Sequence, residues 1–263
     1  MRTALILFSL LSCTVPLKPH DYSNTGAVQS LSYSFEPTSQ QLPYTLYVPT
    51  SYDGNKNFPV IFALHGLYSN CWQIINYPGF IDSAEKHGYI LVAPTGFNDR
   101  GWYGMYGPTH PKSEPNNLGE LSERDVLNVI TLIRDEFNID LRRIYLYGHS
   151  MGGGGAFHLL AKYPEQFAAI AAVAPAYFVE GRSTMLADSH SAILVIQGEK
   201  DRMVDVTATR TLVEELKDDG HQVEYIEVSG GNHLFPAWTR WDQVFELYSN
   251  NQSANISPAP IYH

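Results

Sequence analysis

Six short apolar runs, each closed by a turn residue, constrain this chain more than any other feature. Val60-Ile61-Phe62-Ala63-Leu64 stops at His65-Gly66, and Tyr89 to Ala93 stops at Pro94. Arg143 to Tyr147 ends at Gly148, Ala168 to Ala174 at Pro175, Ala192 to Gln197 at Gly198, and Val223 to Val228 at Ser229-Gly230-Gly231. Runs this short and this continuously apolar suit strands buried on both faces, the environment of a parallel sheet. Helical patterns separate them. Ser122 with Asp125 three residues on reads as a capping-box-like start, after which Val126, Ile130, Ile133 and Phe137 share one face. Residues 151–162, 206–219 (closed by Gly220) and 235–248 read as further helices. Strand–helix alternation predicts an α/β fold built on a mostly parallel, doubly wound sheet. Two earlier runs, 30–36 and 44–48, read as an antiparallel lead-in hairpin.

The organisation expected is one domain over residues 28–249. Residues 1–13 read as a signal segment: Met1-Arg2 is a minimal basic start, and Ala4 to Leu11 is apolar except for Ser9. Leu10-Leu11-Ser12-Cys13 resembles a lipoprotein box, which would place a lipid on Cys13; plain secretion is the alternative. Residues 14–27 read as a tether and 250–263 as a loose tail carrying two glycosylation-like triplets, at Asn251 and Asn255. Export is therefore the expected fate, with membrane contact only through a lipid on Cys13.

Lys plus Arg number 17 against 27 for Asp plus Glu, a formal charge of −10. That balance opposes binding to nucleic acid or to an anionic membrane surface. Two cysteines and scattered histidines give no usual zinc spacing, so neither metal nor cofactor is expected.

Gly148-His149-Ser150-Met151-Gly152 is a G-x-S-x-G placed between a predicted strand and a predicted helix. In that context the pattern reads as a nucleophile elbow, and Ser150 as the nucleophile. Close approach of the helix to the sheet is the expected reason for the glycines that continue the motif, Gly153-Gly154-Gly155. A serine needs a base held by an acid, and in such a fold the chain order is serine, acid, histidine. Asp201 lies in Gly198-Glu199-Lys200-Asp201, one turn past a strand end, and His233 in Gly230-Gly231-Asn232-His233, likewise. His190 and His221 compete with His233, but both precede strands and should lie at the opposite sheet edge. Glu199 and Asp205 compete with Asp201, and Asp205 also reads as a helix cap. An oxyanion hole needs two backbone N–H groups. Met151, after the nucleophile, and Leu67, in the His65-Gly66-Leu67 turn, are the candidates; His65 reads as a brace for that turn.

The segments Phe62-Ala-Leu-His-Gly66, Ile144-Tyr-Leu-Tyr-Gly-His-Ser-Met-Gly-Gly153 and Val195-Ile-Gln-Gly-Glu-Lys-Asp201 resemble the α/β-hydrolase superfamily. Tyr44 to Pro49 is similar to a lead-in common in its feruloyl esterase, acetylxylan esterase and polyhydroxybutyrate-depolymerase-like branch. The resemblance runs from about residue 40 to 248. It implies a serine hydrolase that cleaves carboxylic esters, such as feruloyl or acetyl esters, through an acyl-enzyme. A serine peptidase or thioesterase with the same triad, or a non-catalytic carbohydrate- or lipid-binding homologue, are the alternatives. No segment is long enough for a large lid, so the site should be open to bulky or polymer-borne esters. Trp102, Tyr103 and Tyr106, in the loop after Pro94, are candidate substrate contacts, as are Tyr177 and Phe178 after Pro175; packing within their own loops is the competing reading.

Overall fold

A computed structural model describes residues 24–105, 114–177, 186 and 189–254. The signal segment, Cys13, Tyr106, Phe178 and Asn255 lie outside the described residues.

All six apolar runs become strands of one eight-stranded sheet: β1 (Val28–Phe35), β2 (Gln40–Tyr47), β3 (Phe58–Leu64), β4 (Ile90–Pro94), β5 (Ile139–His149), β6 (Ala169–Val173), β7 (Ala192–Gly198) and β8 (Val223–Val228). Their spatial order is β1-β2-β4-β3-β5-β6-β7-β8. The lead-in hairpin pairs antiparallel, β2 joins β4 antiparallel, and β4, β3, β5, β6, β7 and β8 run parallel. This is an α/β-hydrolase-type sheet.

Strand alternation splits the interior into two cores. Val60, Phe62, Leu64, Ile144 and Leu146 face one side, where α3 (Leu118–Glu136), α4 (Met151–Lys162) and α5 (Val206–Asp218) pack with Val126, Phe157 and Leu212. Ile61, Ala63, Tyr145 and Tyr147 face the other, against α1 (Cys71–Ile75), α2 (Phe80–His87) and α6 (Trp241–Asn250). Both faces of the central strands are buried because both are covered, which is why their sequences are apolar without alternation. The same parallel arrangement brings the C-terminal ends of six strands to one edge, where ligand crevices form in sheets of this kind.

Four expectations need correction. The helix assigned a start at Ser122 begins a turn earlier, after Asn117, which makes no side-chain cap bond. Ser122 and Asp125 face inward instead. The Ser122 hydroxyl accepts from the Tyr103 N–H at 3.0 Å, and the Asp125 carboxylate accepts from Gly96 N–H (2.6 Å), Phe97 N–H (3.1 Å) and the Tyr33 hydroxyl (2.6 Å). They anchor the loop after β4 rather than cap α3; burial pushes the Asp125 carboxyl up to about 6 against those donors.

Residues 235–248 divide into a 3₁₀ turn, Phe235–Trp238, and α6. The Thr239 hydroxyl donates to the Phe235 carbonyl at 2.9 Å, offering the backbone a partner that competes with helix continuation. The tail is not loose at its start: Ser253 N–H donates to the Arg142 carbonyl (2.8 Å) and the Tyr145 hydroxyl to the Asn251 carbonyl (2.8 Å). The tether likewise joins the domain before residue 28, since Gly26 N–H donates to the Val48 carbonyl at 2.8 Å.

Candidate active site

β5 turns into α4 through Ser150, whose φ is +57° and ψ −116°. A non-glycine residue rarely adopts that backbone, and such strain persists only where neighbours hold it. Here Ser150 N–H donates to the Val173 carbonyl (2.9 Å), while its own carbonyl accepts from Gly154 N–H (3.1 Å) and Ala176 N–H (3.0 Å). A side chain at Gly148 would collide with the Gly152 carbonyl, and one at Gly152 with the Leu64 carbonyl. The two motif glycines are thus fixed by close backbone approach.

The run Gly153-Gly154-Gly155 has a different cause from the close approach to the sheet expected of it, because these glycines approach loops. A Cβ on Gly153 would lie 2.9 Å from Pro175 Cα, one on Gly154 would meet the Ala176 carbonyl, and one on Gly155 would lie 2.6 Å from the Tyr103 ring. The loops after β4 and β6 therefore rest directly on the first turn of α4.

β7 and β8 deliver the acid and the base. His233 Nδ1 lies 2.8 Å from Asp201 Oδ2. The Asp201 carboxylate is fully shielded and the His233 ring nearly so, at 0% and 9% side-chain exposure. Asp201 Oδ1 accepts from Met203 N–H (2.8 Å) and Val204 N–H (3.0 Å), and Oδ2 accepts also from Gln197 Nε2 (3.0 Å). Three donors already point at the carboxylate, which acts as an acceptor on both oxygens. His233 must then carry its proton on Nδ1, which leaves Nε2 as the basic nitrogen. Gly198 permits the arrangement, because a Cβ there would collide with the Gly231 and Asn232 carbonyls where the two loops meet.

The competing residues are placed elsewhere. Asp205 caps α5, accepting from Thr207 N–H at 3.0 Å, as expected. Glu199 accepts from Gly230 N–H at 2.6 Å on the exposed side of the loop. His190 lines a small cleft with Pro164, Glu165 and Gln252, away from the strand ends that carry Ser150. His221 lies in the turn before β8.

The turn after β3 lies against Ser150, for a Cβ on Gly66 would be 3.4 Å from Ser150 Cβ. Its backbone is held from below. His65 N–H donates to the Tyr103 hydroxyl (2.9 Å), His65 ring nitrogens lie 2.8 Å from the Gly66 and Thr95 carbonyls, and Tyr68 N–H donates to the Asp99 carbonyl (2.8 Å). His65 is fully buried and serves as the brace expected. Leu67 N–H has no acceptor among the described residues, and Met151 N–H, first in α4, has none within its helix.

Tyr103 corrects an expectation. It is fully buried, with φ +51°, and its hydroxyl holds the His65 backbone, so it is a prop for the turn rather than a substrate contact. Trp102 packs against the core, and Tyr177 is buried with its ring stacked on Phe157 (centroids 5.2 Å apart). The exposed large apolar side chains among the described residues lie elsewhere: Leu67, already a candidate for its backbone N–H, and Tyr68, Trp72, Met203, Leu234 and Phe235, which the sequence does not single out. Each follows the end of β3, β7 or β8 by no more than eight residues, at the edge that carries Ser150 and His233.

Gly155→Ala tests the prop. Alanine gains about 1 kcal/mol of helix propensity, whereas forcing a methyl into a packed core costs about 1–3 kcal/mol. The clash with Tyr103 should win. The melting temperature is expected to fall by a few degrees, and kcat to fall with it as the turn bearing Leu67 shifts. A higher melting temperature would show that Tyr103 yields without cost.

Comparison with known proteins gives the same picture. The bovine (Bos taurus) S-formylglutathione hydrolase is 28% identical over 170 residues, 58% of this chain and 60% of that protein. Acetylxylan esterase A of Aspergillus ficuum is 23% identical over 168 residues, 61% of this chain and 50% of that protein. The chain thus matches about half to 60% of the length of these relatives. Among solved structures, a ferulic acid esterase from Anaeromyces mucronatus in complex with ferulic acid superposes with a TM-score of 0.68 at 16% identity, covering 89% of this chain and 93% of that one. A strained serine elbow, an Asp–His pair on the neighbouring strand ends and the shared fold agree with the family match: residues 36–249 fit the model of the Esterase family, described as "Putative esterase", and the chain belongs to that family.

Proposed function

We propose that this chain is a serine hydrolase of carboxylic esters, acting through an acyl-enzyme. The observation that carries the reading is the convergence of strained Ser150 and the Asp201–His233 pair (2.8 Å) on one sheet edge. In this reading His233 Nε2 takes the Ser150 proton as the hydroxyl oxygen attacks the ester carbonyl. Asp201 holds the ring and stabilises its charged form. Met151 and Leu67 N–H groups receive the oxyanion. The alcohol leaves with the proton from His233, and water repeats the sequence on the acyl-enzyme.

The exposed apolar side chains point to an ester with an aromatic or otherwise apolar group, of the feruloyl kind, rather than to a short acetyl group on a sugar. Leu67, Met203, Leu234 and Phe235 are between 38% and 74% exposed, and they flank the residues assigned to chemistry. Exposed apolar clusters of this kind commonly mark binding sites. The signal-like start supports export as part of the same proposal. No helix among the described residues is long and apolar enough to cross a membrane.

A panel of feruloyl, acetyl, thioester and aminoacyl-amide substrates tests the reading, the thioester because the bovine relative is an S-formylglutathione hydrolase. Oxygen esters should give the highest kcat/KM; faster cleavage of the amide would move the chain to the peptidases. Phe235→Ser should lower kcat/KM for the feruloyl ester several-fold and leave p-nitrophenyl acetate nearly unchanged. An equal fall for both would show that the apolar rim does not touch substrate.

A further inference from the structure

His149, the variable residue inside the G-x-S-x-G, is fully buried at the end of β5. Its ring lies against His233, with centroids 4.9 Å apart and planes tilted by 38°. His149 Nε2 lies 3.0 Å from the His233 backbone carbonyl, and Nδ1 lies 2.8 Å from the Tyr77 hydroxyl. A carbonyl only accepts, so Nε2 carries the proton. Nδ1 is then bare, and the Tyr77 hydroxyl donates to it. Every polar atom of the neutral ring is satisfied by this one tautomer. The Tyr77 ring is itself fixed edge-on between His149 and Trp238, at 5.8 Å from each.

We propose that Tyr77 and His149 form a positioning pair for His233: the His233 carbonyl fixes the His149 tautomer, the Tyr77 hydroxyl satisfies the bare Nδ1 and holds the ring in place, the ring N–H holds the His233 backbone, and the pair stays uncharged while His233 gains and loses its proton.

The inference rests on the assignment of His233 as the base. That base becomes an imidazolium in each half of the reaction. A second cation with its ring centre 4.9 Å away would oppose this, so the neighbour must be held neutral. The titratable groups facing His149 are Tyr77, from the segment between α1 and α2, and His233 and Asp201, from the loops after β8 and β7. Burial first, and then His233, keep His149 protonation down to about 4. The hydrogen bond donated to bare Nδ1 satisfies the neutral ring, so removing the Tyr77 hydroxyl leaves a buried acceptor unpaired and frees the ring to shift away from the His233 carbonyl.

Tyr77→Phe keeps the edge-on ring and removes only the donor. Its kcat is expected to fall three- to tenfold with KM for a small p-nitrophenyl ester unchanged, a split that a general loss of fold would not give. His149→Gln places an amide donor near the His233 carbonyl but has nothing to titrate, so its acid limb should stay at the wild-type pH. His149→Leu, lacking the donor, should be several-fold slower than His149→Gln. A Tyr77→Phe kcat equal to that of wild type overturns the proposal, as does a His149→Leu rate equal to that of His149→Gln. Full turnover by His233→Ala would instead overturn the assignment of the base, a result distinct from either.

Discussion

Ser150→Ala is expected to reduce ester turnover by about 10⁶-fold, the scale at which loss of a serine nucleophile is felt when the rest of its triad remains. The wild-type protein should also form a covalent adduct with a fluorophosphonate probe, because a hydroxyl activated by an imidazole attacks phosphorus as it attacks carbon. Intact-mass spectrometry should show the adduct on wild type and none on the variant. The substitution leaves Cβ in place and removes only the hydroxyl oxygen, so the backbone at φ +57° and its hydrogen bonds to Val173, Gly154 and Ala176 are kept. The melting temperature should therefore stay close to wild type, and loss of labelling can be read as loss of the oxygen. His190→Ala and His221→Ala, both before strands and away from this edge, should turn over ester normally. Labelling of Ser150→Ala at the wild-type rate would remove Ser150 from the chemistry.

The parts of this site that follow from local pattern were legible in the sequence. Ser150, Asp201 and His233 each lie just past an apolar run, and in a parallel sheet every such run ends at the same edge. Position along the chain therefore carries position in space. Asp205 was readable for a similar reason, since helix caps are local. What was not legible depends on contacts between distant segments. Tyr103 follows a strand like the others, yet its hydroxyl meets a backbone N–H 38 residues earlier and its ring meets Gly155. Spacing alone could not distinguish that prop from a rim aromatic. Asp125 looked like half of a cap because it sits three residues after a serine; its partners are Tyr33, Gly96 and Phe97, all brought in by the sheet. The run of glycines did carry a signal, because four in one helix require neighbours too close for any Cβ. It could not say that two of those neighbours are the loops after β4 and β6. His149 was the most available omission: a histidine beside the nucleophile in a motif that tolerates any residue there.

Asp201→Asn should lower kcat by about 10⁴-fold, the precedent for neutralising the acid of a serine triad. The reason lies in the four donors around this carboxylate. An asparagine side chain has one acceptor oxygen and one donor nitrogen. If the oxygen stays toward Met203 and Val204 N–H, the amide nitrogen faces Gln197 Nε2 and His233 Nδ1. Two donors then confront donors. His233 can escape only by shifting its proton to Nε2, which makes Nδ1 an acceptor toward the new amide but removes the basic nitrogen that Ser150 needs. If the amide turns over, its nitrogen opposes Met203 and Val204 N–H, and the loop that carries it must deform. Either way the charge that stabilises the imidazolium is gone. The first arrangement costs activity with little change in fold; the second lowers stability as well. Measuring kcat beside the melting temperature separates them. Asp205→Asn should cost little, because asparagine caps a helix about as well as aspartate. Glu199→Gln should also cost little, since its carboxylate holds an exposed loop through Gly230. Should Glu199→Gln prove the damaging change and Asp201→Asn remain active, the acid would have to reach His233 by a geometry different from the 2.8 Å contact seen here.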